Sequence, residues 1–149
     1  MPVPRPRHLG SALVAAALAA TMQIPAGAEG SPSSTDGADC LFIGHSFFVP
    51  VAAAFDQLAV ANGFPAHSAQ TVFGPGPAGS PAALWDNPEQ RAQIEGILAT
   101  GAIDIFGLAT FSPQDSSFED FAQWIDLALA YNPQTTFFIG TPWVPGGPS

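Results

Sequence analysis

The amino-acid sequence predicts an α/β fold: a parallel sheet covered on both faces by helices, in three α/β/α layers. Three observations carry this. Apolar runs of strand length alternate with longer stretches of helical periodicity along residues 39–140. Gly, Pro, Asn or Ser stands at the junctions between them. Each connection between apolar runs is long enough to hold a helix, and a parallel neighbour can be reached only by such a crossover.

Residues 39–44 are a short buried strand, an apolar run stopped by Gly44. Pro50 to Asn62 is a helix, with Val51, Phe55, Leu58 and Ala59 spaced i, i+4, i+7, i+8 as one apolar stripe. Pro50 suits its first turn and Asn62-Gly63 its end. Residues 66–73 read as a second strand. Residues 74–80 alternate Gly and Pro and form a loop, and residues 81–86 a single helical turn. Pro88 to Thr100 is a helix with Asn87 as its N-cap, Glu89 in its first turn and Gly101 closing it. Ile103 to Leu108 is the third strand. Ser117 caps a helix from Phe118 to about Tyr131, with Phe118, Phe121, Trp124, Ile125 and Leu129 as its apolar stripe. Thr135 to Gly140 is the fourth strand. The order β-α-β-α-β-α-β is that of a flavodoxin-like sheet, which carries about five strands. Four are readable here, so the expectation is a domain incomplete at its carboxyl end.

Residues 1–28 read as a secretory signal peptide: Arg5 and Arg7, an apolar stretch from Leu9 to Ala20, and Ala26-Gly27-Ala28 as a small-residue cleavage site. The apolar stretch is too short to span a bilayer comfortably. Residues 29–38 are a polar, flexible leader, and residues 39–149 form the α/β domain. The expected localisation is exported, periplasmic or extracellular. The formal charge is −9, and −11 once Arg5 and Arg7 are removed. An acidic surface of this kind excludes nucleic acid and anionic membrane as partners. The single cysteine, Cys40, cannot form an internal disulfide and reads as a small buried hydrophobe. No Cys/His cluster has metal-ligand spacing, so neither a metal nor an organic cofactor is implied.

The chemistry concentrates in Cys40-Leu-Phe-Ile-Gly-His-Ser-Phe-Phe-Val-Pro50, where the first strand runs into Gly44-His45-Ser46 and then a helix. In open α/β sheets ligands gather at the carboxyl ends of strands, which makes Ser46 the candidate nucleophile. Two facts oppose a G-x-S-x-G nucleophile elbow. Phe48 stands where the second glycine belongs, and the serine follows the first strand rather than a later one.

Phe42-Ile43-Gly44-His45-Ser46-Phe47 resembles the first block of the SGNH (GDSL-type) hydrolase superfamily, with His45 where Asp or Asn is usual. The resemblance covers about residues 39–145 and implies acyl-ester hydrolysis with Ser46 as nucleophile. The Ser46 N–H would enter an oxyanion hole, where preorganised donors meet the charge developing on the tetrahedral intermediate. The second block implies a glycine after the second strand. Gly79, followed by Ser80 and Leu84-Trp85, matches best and Gly76 second. The third block places an Asn or Gln after the third strand. This chain has Ala109-Thr110 there, leaving the Thr110 hydroxyl as third donor. The family's Asp-x-x-His, whose His is the general base, occurs nowhere in the 149 residues. The expectation is that base and Asp lie in a further segment, and that these residues alone are weakly stable and hydrolyse little.

His45 lines the site, and His67 reads as a partly buried polar residue. Trp85 and Trp124 read as packing residues, and Trp143 as the tryptophan best placed to line the site. The substrates implied are small-molecule, carbohydrate O-acetyl or lipid esters. A different class also fits: a secreted binding or structural module that keeps the sheet without catalysis, favoured by His45, by Ala109 and by the missing Asp-x-x-His.

Overall fold

The computed structural model describes residues 36–141. Residues 1–35, which include the stretch read as a signal peptide and most of the leader, lie outside the described residues, as does Trp143. Four strands, β1 (Asp39–His45), β2 (Ser68–Gly74), β3 (Ile105–Ala109) and β4 (Thr136–Gly140), form one sheet in the order β2-β1-β3-β4. All three pairings are parallel, with Asp39 opposite Ser68, Cys40 opposite Ile105 and Ile105 opposite Thr136. The helices are α1 (Val49–Ala61), α2 (Pro81–Asp86), α3 (Pro88–Leu98) and α4 (Phe118–Tyr131), with a 3₁₀ turn at Gly76–Gly79. This is the α/β architecture the alternation predicts, with boundaries shifted by one or two residues at strand ends.

Side chains alternate across each strand, and the two faces bury different sets. Leu41 and Ile43 of β1, Val72 of β2 and Phe106 and Leu108 of β3 pack against Leu84 of α2, Ile94 and Leu98 of α3, and Trp124 and Ala128 of α4. The opposite face packs Cys40, Phe42, Phe48 and Ala109 against Ala52 of α1. The layers are therefore α1 on one side and α2–α4 on the other. Local signals agree with this packing. The Asn87 carboxamide oxygen accepts from the N–H groups of Glu89 and Gln90. Ser117 and Asp120 make a reciprocal capping box at the start of α4.

The α1 stripe behaves differently from its prediction. Val51, Phe55 and Leu58 stay exposed, and Ala52 is the helix's buried residue. Beside α1 a groove of about 760 Å³ runs over the amino ends of β3 and β4, lined by Phe55, Leu58, Phe64, His67, Ile105 and Thr136 among others. Phe138 and Ile139 of the outer strand β4 are also exposed. Among the described residues, α1 is the helix on this face, so part of its apolar side has nothing to pack against.

Cys40 is fully buried in β1, as its apolar run predicts. Burial, with further contributions from Asp104, Asp39 and Asp56, pushes its thiol from 9.0 up to about 12. Two outcomes follow. Native protein at pH 8 should leave Cys40 unmodified by iodoacetamide, whereas denatured protein reacts. Because the folded value is the raised one, the unfolded chain loses its proton first. Stability from this group is therefore complete below pH 9 and is withdrawn as pH rises toward 12. Denaturation curves at pH 8 and pH 11 check the sign.

Candidate functional site

The strand order reverses around β1. From β1 the chain goes to β2 on one side, then crosses to β3 on the other. The topological switch point therefore lies between β1 and β3, and the carboxyl ends of the strands there are the position where open α/β sheets bind ligands. Three loops meet there: His45–Phe48 after β1, Gly74–Ser80 after β2 and Thr110–Ser117 after β3.

The first loop is a tight turn, closed by a 2.9 Å bond from the Phe48 N–H to the His45 carbonyl oxygen. Its two central residues, Ser46 and Phe47, point outward, while Phe48 turns back into the core at 4% exposure. Phe48 stacks on Phe138 at 6.0 Å and meets Phe42 edge-on at 5.9 Å, which anchors the turn to the sheet. Ser46 is exposed and, among the described residues, its hydroxyl has no hydrogen-bond partner. No described non-glycine residue has positive φ. The turn thus lacks the strain of a nucleophile elbow, in line with the absent second glycine.

His45 is 7% exposed. Its Nδ1 accepts the Phe47 N–H at 3.3 Å, so in the neutral ring the proton sits on Nε2 and no free ring lone pair remains to take the Ser46 proton. The imidazole meets Phe47 and Phe111 edge-on at 5.7 and 5.3 Å. These contacts tie the β1 loop to the β3 loop.

The second loop is held against β1 by close backbone approach. A methyl group on Gly79 would stand 2.2 Å from the Gly44 carbonyl oxygen and 2.6 Å from that of Gly74. Gly79 is buried, two residues before the start of α2 and alongside the strand that delivers Ser46. Gly76, with φ +51, has nothing within 4 Å of a would-be Cβ. Of the two glycines read from the sequence, Gly79 is the one packed against β1. The third loop begins beside β1 as well: a methyl group on Gly44 would meet Ala109 at 3.3 Å. Thr110 is 5% exposed, and its hydroxyl donates to the Ser112 carbonyl oxygen at 2.9 Å. That proton is engaged within the loop. Farther along, one Asp115 carboxylate oxygen is buried with no hydrogen-bond partner among the described residues.

Ser46, Gly79, Thr110 and His45 thus sit on adjoining loops at one sheet edge. The remaining sequence candidates lie elsewhere. The His67 side chain is 2% exposed, with Nε2 3.6 Å from Asp56. It lines the α1 groove with the amino ends of β3 and β4, away from the carboxyl edge. Trp124 is fully buried and Trp85 meets it edge-on at 4.7 Å, so both are packing residues. Sequence reasoning missed Phe47 and Phe111, whose rings stack at 5.9 Å beside Ser46. The available signal was an aromatic residue immediately after each strand-end site residue. No three His, Cys, Asp or Glu side chains gather as a metal site among the described residues.

Comparison with protein-family models, curated proteins and solved structures finds no match to this chain.

Proposed function

We propose that this chain carries the nucleophile of an exported serine ester hydrolase of SGNH-like type. The observation that carries the reading is the exposed Ser46, at the centre of a turn ending β1, at the switch point between β1 and β3 and on the strand that the Gly79 loop packs against. In the proposed reaction the Ser46 oxygen attacks an ester carbonyl and its proton passes to a base. The tetrahedral oxyanion accepts hydrogen bonds from the Ser46 and Gly79 N–H groups, and the alcohol leaves. Water then hydrolyses the acyl-serine. Neither described histidine supplies that base: the His45 ring has its free lone pair engaged, and His67 lies in the groove at the amino ends of β3 and β4. The signal-peptide reading of residues 1–28 supports export, and the strong negative charge of the chain favours uncharged over anionic esters.

One observation favours the second reading, a non-catalytic binding module on the same fold. The Thr110 hydroxyl, the third donor in the sequence reading, is engaged by Ser112. A fluorophosphonate probe separates the two. It is applied to protein expressed with the reading frame beyond codon 149 included. For a hydrolase, labelling is expected at Ser46 and is abolished by Ser46→Ala. Well-folded protein that takes no label would leave the binding module.

A further inference from the structure

Phe47 is 73% exposed, although its neighbour Phe48 reaches the core from the same turn. It is nevertheless held in place. Its ring stacks on Phe111 at 5.9 Å with 28° between the planes, and His45 stands edge-on to both. Three rings from two loops thus form one preorganised cluster, two of them on the residues that flank Ser46 in the turn. Such rigidity lowers the ordering cost of binding.

Several polar groups of the neighbouring loops are engaged within the protein, while the Ser46 hydroxyl stays free among the described residues. The His45 Nδ1 accepts the Phe47 N–H and the Thr110 hydroxyl donates to Ser112. The Ser116 hydroxyl accepts from the Ala82 N–H. The cluster therefore presents ring faces, with few free hydroxyl-reading groups of the sort a sugar requires. Nor does it suit an anion. Arg91, the one Lys or Arg among the described residues, lies over the Trp85 ring at 3.9 Å on α3, and the chain is strongly acidic. What remains is a flat, uncharged, apolar group, and an aromatic ring extends an offset stack of this geometry.

We infer that Phe47, backed by Phe111, is the specificity platform for an uncharged aryl ester, whose ring stacks on Phe47 and brings the ester carbonyl to Ser46. This rests on the ester-hydrolase reading for the choice of an ester, and on the ring cluster alone for the choice of an aryl group.

The test is ligand-observed saturation-transfer NMR with phenyl acetate on the Ser46→Ala protein, which binds without turnover. Fully acetylated methyl glucopyranoside serves as the competing probe. Saturation of the phenyl protons is expected, with binding about tenfold weaker when Phe47→Ala is added. The exposed ring should leave the thermal melt unchanged, so loss of binding is not loss of fold. Equal phenyl acetate affinity with and without Phe47, or preference for the acetylated sugar, would overturn the platform. The fluorophosphonate experiment reads the nucleophile independently. Labelling of Ser46 without a Phe47 effect on phenyl acetate sinks the platform alone. Phenyl acetate binding that depends on Phe47, in protein that takes no label, keeps the platform and sinks the hydrolase.

Discussion

Gly79→Ala is expected to destabilise the protein by about 3 kcal/mol or more, the upper range for forcing atoms into a packed site. The added methyl would stand 2.2 Å from the Gly44 carbonyl oxygen and 2.6 Å from that of Gly74. Both are backbone atoms, so no side chain can swing aside. Gly44 cannot retreat either, because β1 is a central strand, paired to β2 and to β3. The loop itself must lift, and with it the entry to α2. Gly76→Ala is the control. Its cost is that of a left-handed alanine, about 1–2 kcal/mol, with open space around the methyl. Urea denaturation of the two variants measures the contrast as a shift in midpoint at constant slope. A Gly79→Ala protein no less stable than Gly76→Ala would mean that the loop is not clamped to β1. The Gly79 N–H would then lose its claim to a fixed place near Ser46.

The parts of this molecule legible in the sequence are those fixed by local chemistry. Asn87-Pro88-Glu89 and Ser117 with Asp120 mark helix starts because their side chains satisfy N–H groups that the helix leaves open. The Cys40–Ile43 run is a strand buried on both faces, and nothing polar interrupts it. Ser46 was visible because a strand end followed at once by a helix puts a short polar residue at the sheet edge.

What was not legible depends on tertiary context. The stripe of α1 identifies the side a helix would bury, yet Val51, Phe55 and Leu58 remain exposed, since periodicity is silent on whether a neighbour is there. Phe47 and Phe48 are chemically identical, and only the turn that reverses the chain sends one outward and the other inward. The Thr110 hydroxyl reads from sequence as a free donor. Its bond to Ser112 depends on how the loop after β3 bends.

Trp124→Ala should cost about 3–5 kcal/mol, the range for deleting a large buried aromatic. Trp124 is fully buried in α4 and packs in the cluster that joins α2, α3 and α4 to the sheet. Its ring also meets Trp85 edge-on, and its Nε1–H donates to the Pro81 carbonyl oxygen at 2.9 Å. Trp124→Phe divides the effect. It keeps most of the apolar volume but removes the indole bond to that carbonyl, with an expected cost of about 0.5–1.5 kcal/mol. The bond matters beyond stability because Pro81 opens α2, directly after Ser80 and Gly79. Trp124 therefore fixes from below the loop that Gly79 holds against β1 from the side. In Trp124→Phe protein that remains folded, Ser46 labelling should slow while Phe47-dependent binding of phenyl acetate is retained, since the ring platform hangs on the β1 and β3 loops. Denaturation curves and labelling rates on the same preparation test this together. A Trp124→Phe variant with wild-type labelling would show that the Gly79 loop keeps its position without the indole bond, and that Gly44 alone sets it.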